Sequence, residues 1–214
     1  MSARPVVVIG SGGHASVLMD VLSAAGCSVE GVITLDHKLW GKTFGGVPVL
    51  GGDEALDGRD PKAIALANGV GSVRAPTVRA RVFEDYRGRG FRFPAIVHPS
   101  AVVAPSVELS DGVQIWAGCV VQAGTVLGLD ALVNTGARVD HHCVVGDHVH
   151  VAPGAILCGE VHVGARSHIG AGAVVIQGIQ VGKDVVVGAG ATVTAAVPDG
   201  LTVVGVPARE VRRR

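Results

Sequence analysis

From Ile96 onward the chain carries an aliphatic residue at every sixth position. With hexads counted from Ile96, the second position reads Val97, Val103, Leu109, Ile115, Val121, Leu127, Val133, Val139 and Val145. It continues through Val151, Leu157, Val163, Ile169, Val175, Val181, Val187 and Val193, seventeen in a row without an insertion. The sixth position stays small or aliphatic, from Ala101 and Val107 through Cys119, Thr125, Ala131 and Ala155 to Val197. Gly, Asp and Asn collect in between. This period fits neither an amphipathic helix nor an alternating hairpin meander. It is the hexapeptide form of a parallel β-helix, a solenoid. Each hexad predicts a short strand and a corner, and three hexads close a triangular coil. The next coil stacks on it at about 4.8 Å, the usual strand spacing.

The pattern before residue 93 is different. "RPVVVIGSGGHASVLMDVLSAAG" reads as strand, glycine turn and helix: Val6 to Ile9 are continuously apolar, and Val17, Leu18, Val21 and Leu22 recur at helical spacing. "VEGVITLD" predicts a second strand ending at Asp36, and "AIALANG" a third at 63–69. Alternation of strand and helix argues for a small parallel, Rossmann-like α/β sheet. The expected organisation is an α/β domain over 1–92 and an all-β parallel β-helix with a C-terminal tail over 93–214. Gly10, Gly12 and Ala15 fit G-x-G-x-x-A after a strand, and Asp36 closes the next strand, as in a dinucleotide fold. Alone the motif is weak. Free amides and the helix dipole at such a turn suit any phosphate, and a tight turn without a ligand reads the same way. The domain is short for a dinucleotide fold, and no second half carries a hydride acceptor.

Composition narrows the function classes. Lys plus Arg balance Asp plus Glu at 18 each, and the basic run is the terminal Arg212, Arg213 and Arg214. No basic face for nucleic acid is expected. "VVVIG" is too short for the apolar core of a signal peptide, and no run is long enough to span a membrane. Cys27, Cys119, Cys143 and Cys158 are scattered, which supports neither a disulfide framework nor a cysteine metal site. The expectation is a reduced cytoplasmic protein. The 32 glycines and 3% aromatic residues mean that aliphatic rather than aromatic packing fills the core.

Candidate chemistry centres on "HHCVVGDHVHVAPGAILCGEVHVG", which holds five of the nine histidines. His141 is at position four of its hexad, and Gly159 lies one complete coil later at the same position. An imidazole at 141 and a backbone amide at 159 therefore occupy adjacent rungs, where a reacting carbonyl would meet a base and an N–H donor. Histidine titrates near 6.5 when unperturbed, so it accepts a proton close to neutral pH. His150, nine residues on from His141, is half a coil away and joins such a site only through a neighbouring subunit. His162 and His168 open hexads at positions expected to be solvated, and His148 sits in a corner expected at the surface. His98 is placed either at a sugar pocket or as a corner-stabilising hydrogen bond. Cys158 is expected to be a packed thiol rather than a nucleophile.

These features resemble the left-handed β-helix acyltransferase superfamily over residues 96–211, down to the closing "VVGVPAREV". "GSGGHA" and "FPAIVHPSA" resemble the bacterial N-acetyltransferases of nucleotide-linked amino sugars. "NTGARVDHHCVVGDHVH" matches the active-site stretch of that group. The resemblance implies acetyl-CoA as cosubstrate, no metal, and a nucleotide-linked amino sugar as acceptor, made for lipopolysaccharide O-antigen or similar glycans. It implies a homotrimer with acyl-CoA in the grooves between prisms and active sites at subunit interfaces. By resemblance Gly12, Gly13 and His14 approach the diphosphate or sugar. Asp36, His37 and Lys38 lie near the base or ribose, and Asn68 and Gly69 flank the same pocket. His141 becomes the general base and Gly159 the oxyanion amide, with Asn134 and His150 lining the site. His142 departs from the group, which usually has a carboxylate directly after the catalytic histidine; Asp140 adjoins from the other side. O-acetylation of a sugar hydroxyl, a zinc hydrase on the same fold and a non-catalytic scaffold stay open as alternatives.

Overall fold

The computed structural model describes residues 4–72 and 76–211, so Arg212, Arg213 and Arg214 lie outside the described residues. The first half is a five-stranded sheet, with β1 (Val6–Ile9), β2 (Val29–Ile33), β3 (Thr43–Phe44), β4 (Val47–Gly51) and β5 (Ala65–Asn68) in the order β3-β4-β2-β1-β5. β1 is parallel to both β2 and β5, β4 is parallel to β2, and β3 turns back antiparallel on β4. All four residues of β1 are buried, as a central parallel strand requires. Helix α1 (Gly13–Ala24) follows the glycine turn and buries Ala15, Leu18, Met19, Val21 and Leu22. It ends in a Schellman cap, with the amides of Gly26 and Cys27 on the carbonyls of Ser23 and Leu22, and Gly26 takes the left-handed φ of +67° that this cap needs.

Helix α2 (Thr77–Gly88) and the β3–β4 hairpin are elements that the apolar pattern does not predict. α2 buries Ala80, Phe83 and Tyr86 against the sheet, but also Arg79, so its inward face includes a cation. β2 ends at Ile33 rather than at Asp36, because the chain turns there into a short 3-10 turn over His37–Leu39.

The second half is a parallel β-helix. Seventeen two-residue strands run from β6 (Ile96–Val97) to β22 (Thr192–Val193), one per hexad, and each ends on the aliphatic second position. They form three sheets, hereafter the first, second and third face, starting at Ile96–Val97, Val102–Val103 and Glu108–Leu109 respectively. Pairing is parallel with an eighteen-residue offset, for example Val121 beside Val139 and Val139 beside Leu157. The second-position side chains point inward and, from Ile115 on, are almost wholly buried. Burying each contributes about 1.5–3 kcal/mol, which explains how a chain so poor in aromatics fills a core. A last hairpin, Thr202–Val204 with Arg209–Glu210, closes the first face.

Position five of the hexad is the corner, and it takes a left-handed backbone. Glycine fills it at eight corners, but Asp130, His142, His148, Glu160, Arg166 and Asp184 hold it with φ between 52° and 62°. An L-residue there costs about 1–2 kcal/mol, so each needs a compensating contact. Arg166 and Asp184 compensate one another through a two-pronged ion pair at 2.6–2.7 Å. Nothing in the structure explains Glu160.

The α/β domain packs on the first face, with α1 reaching β6 and sharing one apolar cluster with the coil interior. Two sequence expectations are overturned: His148, which meets Glu84 of α2, and His168, which packs edge-on against His150, are not on the surface but are each 7% exposed. His162, at the same hexad position as His168 but on the uncovered third face, is exposed as expected.

Candidate active site

The carboxyl ends of β1, β2 and β5 lie side by side, and the glycine turn runs across them. Gly10 has φ +98° and backs onto the carbonyl of Gly69, while the Ser11 and Thr34 hydroxyls bond at 2.8 Å to tie the turn to β2. Gly12 caps α1 without a side-chain hydrogen bond, and no acidic residue occupies the first turn. A Cβ on Gly12 or Gly13 would meet nothing within 4 Å, so packing does not demand glycine there. Glycine leaves the helix amides open, the arrangement that favours an anion. Asp36, His37 and Lys38 stand exposed at the same edge: Asp36 Oδ1 accepts the Lys38 amide at 3.1 Å, and the His37 ring rests on Trp40 at 4.2 Å.

Two expected pocket residues face elsewhere. Asn68 is 1% exposed and fully engaged: its amide donates to the Arg79 carbonyl (3.0 Å) and to Asp130 Oδ1 (3.3 Å), and its Oδ1 accepts the Val70 amide. Gly69 is buried where a Cβ would come within 2.7 Å of the Ile9 carbonyl. The chain reaches the pocket two residues later, at Gly71 and Ser72, which sequence reasoning missed.

A cleft of about 490 Å³ opens between the start of α1 and the first face. Gly13, His14, Val17, Gly71 and Ser72 form one wall, and Trp116, Asn134, Thr135, His150 and Pro153 the other. His14 packs against Trp116 at 4.4 Å between ring centres. Asn134 Oδ1 accepts the Thr135 amide at 2.7 Å, so its NH2 is the group that meets His150 Nε2 at 3.0 Å. His150 Nε2 is therefore bare, and its Nδ1–H donates to the Ser72 hydroxyl at 2.9 Å. Burial, then the neighbouring His168, Arg79 and His14, push the His150 pKa down to about 3. It is a neutral hydrogen-bonding group at neutral pH and a poor base. His98 is not at this cleft; its Nδ1 meets the Ser100 hydroxyl and amide at 2.7 and 3.0 Å, stabilising its own corner.

His141 and His142 occupy another corner, between β13 (Arg138–Val139) and β14 (Val144–Val145), where the second face meets the third. The imidazole of His141 lies directly on Gly159 of the next coil: a Cβ there would sit 2.5 Å from both Cε1 and Nε2. Gly159 is buried beneath the ring, and its amide has no acceptor among the described residues, although Cys158 and Glu160 on either side both donate within the coil stack. An unengaged N–H is open to a partner. The Nδ1 atoms of His141 and His142 are 3.1 Å apart, while Asp140 uses Oδ1 on the His141 backbone amide at 2.8 Å. His142, not Asp140, thus faces the ring of His141. Its left-handed φ of +55° turns it back, with its own ring over Gly124 of the preceding coil. Gly159→Ala is expected to displace the His141 ring while stability holds within about 1 kcal/mol, because the displaced ring is solvent-exposed; the histidine proton spectrum beside a thermal melt checks both halves.

Among the described residues no group of three or more His, Cys, Asp or Glu is placed to hold a metal ion. No helix among them is long and apolar enough to cross a membrane. The two halves match separate families: residues 5–86 the PglD N-terminal domain, and residues 160–195 the hexapeptide repeat of succinyl-transferase. Comparison with curated proteins gives no match. Among solved structures, a histidine-to-alanine variant of GDP-perosamine N-acetyltransferase from Caulobacter crescentus, in complex with CoA and GDP-perosamine, is 38% identical over 99% of each chain, with a TM-score of 0.91. The acetyltransferase domain of PglB from Neisseria gonorrhoeae FA1090, in complex with acetyl coenzyme A, is 37% identical over 98% of this chain and 100% of that one, with a TM-score of 0.90. WeeI from Acinetobacter baumannii AYE is 28% identical over 98% of this chain and all of its own, with a TM-score of 0.85. An open glycine turn on an α/β domain, a hexad prism and near-complete overlap at these identities lead to one conclusion: the chain belongs to the family of hexapeptide-repeat acetyltransferases that carry a PglD-type N-terminal domain.

Proposed function

We propose that the enzyme transfers acetyl from acetyl-CoA to the amino group of a nucleotide-linked sugar, and that it acts in the cytoplasm to make precursors of surface glycans such as lipopolysaccharide O-antigen. The observation that carries this reading is the His141 imidazole resting on Gly159, a proton acceptor beside an unengaged peptide N–H. The relatives from C. crescentus and N. gonorrhoeae support the donor and the acceptor class, since one was solved with CoA and GDP-perosamine and the other with acetyl coenzyme A. The open amides of Gly12, Gly13 and His14 suit the diphosphate, and Asp36, His37 and Lys38 stand where a base or ribose would extend.

In the proposed reaction the neutral amine attacks the thioester carbonyl carbon, and His141 takes the proton that the nitrogen loses. The Gly159 amide stabilises the oxyanion, worth about 3 kcal/mol for one such donor. The carbon–sulfur bond then breaks, and the proton on His141 neutralises the departing thiolate. No covalent enzyme intermediate is needed. His142 holds the His141 ring through the Nδ1–Nδ1 contact. A second imidazole carries no negative charge at neutral pH, so it assists less than a carboxylate would. That favours the amine, which needs only proton removal during attack, over a hydroxyl, which needs a stronger base.

A trimer would complete the proposed site. Asn134 and His150 flank the corner between the first and second faces, whereas His141 is at the next corner. A second copy bringing its own His141 corner to this cleft would unite base and sugar site, and exposed Val102 and Val144 give its faces an apolar surface to cover. A thiol-release assay comparing matched nucleotide-linked sugars with an amine or a hydroxyl at the acceptor carbon tests the function. Turnover on the amine is expected at least tenfold faster; preferential turnover on the hydroxyl would replace N-acetylation by O-acetylation.

A further inference from the structure

Arg79 is a buried cation whose two Nη groups are bonded inside the protein, while its buried Nε has no partner among the described residues. It is 1% exposed; one guanidinium nitrogen, Nη2, bonds Asp130 Oδ1 at 2.6 Å. The other, Nη1, reaches the carbonyls of Asn68 and Val70 at 3.0 Å each and His14 Nε2 at 3.2 Å. A guanidinium only donates, so the His14 nitrogen facing it must present a lone pair, and the proton of the neutral ring then sits on Nδ1. Gln114 Oε1, an acceptor oriented by the donation of its own NH2 to the Asn68 carbonyl at 2.9 Å, would instead take a proton from His14 Nε2, but at 3.4 Å it is the longer contact. The shorter, charged contact from Arg79 decides the tautomer.

We propose that Arg79 is a positioning residue that fixes His14 as the Nδ1–H tautomer and thereby makes it a hydrogen-bond donor to the sugar of the bound nucleotide sugar. The Nδ1 atom lies on the side of Gly71, which lines the cleft, and it has no partner among the described residues. Trp116 holds the ring from the other side. Burial and then the Arg79 charge push the His14 pKa down to about 3, so the ring stays neutral and donates from one nitrogen only. The walls around it, including Ser72, Trp116, Asn134 and a neutral His150, carry hydrogen-bonding groups but no net charge. Such walls fit the hydroxyl-bearing sugar ring better than the diphosphate, whose place is the glycine turn. The ligand part of the proposal rests on the function proposed above; the tautomer does not.

Two experiments on the full-length enzyme test the two parts. In a long-range proton–nitrogen spectrum of 15N-histidine-labelled protein, His14, assigned from its absence in H14Q, is expected to show a protonated Nδ1 and a bare Nε2 from about pH 6 to pH 8. Where R79K folds, judged by circular dichroism, the His14 signals should shift toward the other tautomer. Where it does not fold, the wild-type spectrum decides alone. A protonated Nε2 in the wild type overturns the proposal. In kinetics, His14→Gln puts its amide near the Nε2 position and His14→Asn near Nδ1. The KM for the nucleotide sugar should rise about three- to tenfold more in H14Q than in H14N, with the loss on that KM rather than on the KM for acetyl-CoA. Equal effects of the two variants, or a loss confined to kcat, overturn the donor role. An enzyme that acetylates no nucleotide-linked amino sugar defeats the function proposed above, and the spectrum still decides the tautomer.

Discussion

His141→Asn is expected to lower kcat at least a hundredfold while the protein folds normally. Asparagine keeps the approximate size and hydrogen-bonding character of the side chain but cannot accept the proton that the amine would release in the proposed reaction. General-base catalysis by a positioned side chain contributes about 10²–10⁴-fold. The ring is exposed and packs on one glycine, so removing it leaves no cavity and strands no buried charge. His142 cannot take over. Its backbone turns its ring toward Gly124, one coil before His141, whereas the free amide of Gly159 is one coil after it. Thiol-release kinetics with a thermal melt of the same preparation check the expectation, and wild-type turnover in the variant would remove His141 from the mechanism.

The largest stability effect is expected at Asp130. This corner carboxylate is completely buried and bonds Arg79 at 2.6 Å, the Asn68 amide at 3.3 Å and His148 Nδ1 at 3.3 Å. His148 in turn reaches Glu84 of α2 at 3.2 Å, so one network crosses from the prism to the α/β domain. Asp130→Asn keeps the shape and tolerates the left-handed corner, but strands the Arg79 charge away from water. Removing one partner of a buried pair costs about 3–5 kcal/mol, which for a chain of this size corresponds to a melting-point drop on the order of 10 °C. Calorimetry measures it directly. Adding Arg79→Met should restore part of the loss, since two neutral side chains leave no stranded charge. A melting point within a degree or two of wild type in the single variant would show that water reaches the pair.

The hexad period made the prism and the His141–Gly159 adjacency legible before any coordinate, because each inward residue is fixed by its neighbour one coil away. The period is blind to which face is covered. His162 and His168 hold the same hexad position, yet His162 is exposed on the third face and His168 is buried on the first, packed edge-on against His150. Arg79 was illegible for a different reason. It sits on the inward side of α2, where an apolar residue is expected, and its partner Asp130 is 51 residues away, joined to it by no spacing rule. Asn68, placed at the pocket by the resemblance, closes β5, but its side chain turns into the domain junction rather than toward the cleft.

The offset of eighteen between stacked strands also governs how such a chain can change length. Losing or gaining a single hexad between residues 141 and 159 would rotate everything downstream by one side of the triangle, carrying the peptide N–H away from the imidazole while leaving every aliphatic residue correctly packed. Growth or shrinkage in units of a whole coil spares the catalytic geometry only when it falls outside that span. The scaffold is thus forgiving toward the number of its storeys and intolerant of a partial one inserted at the working level.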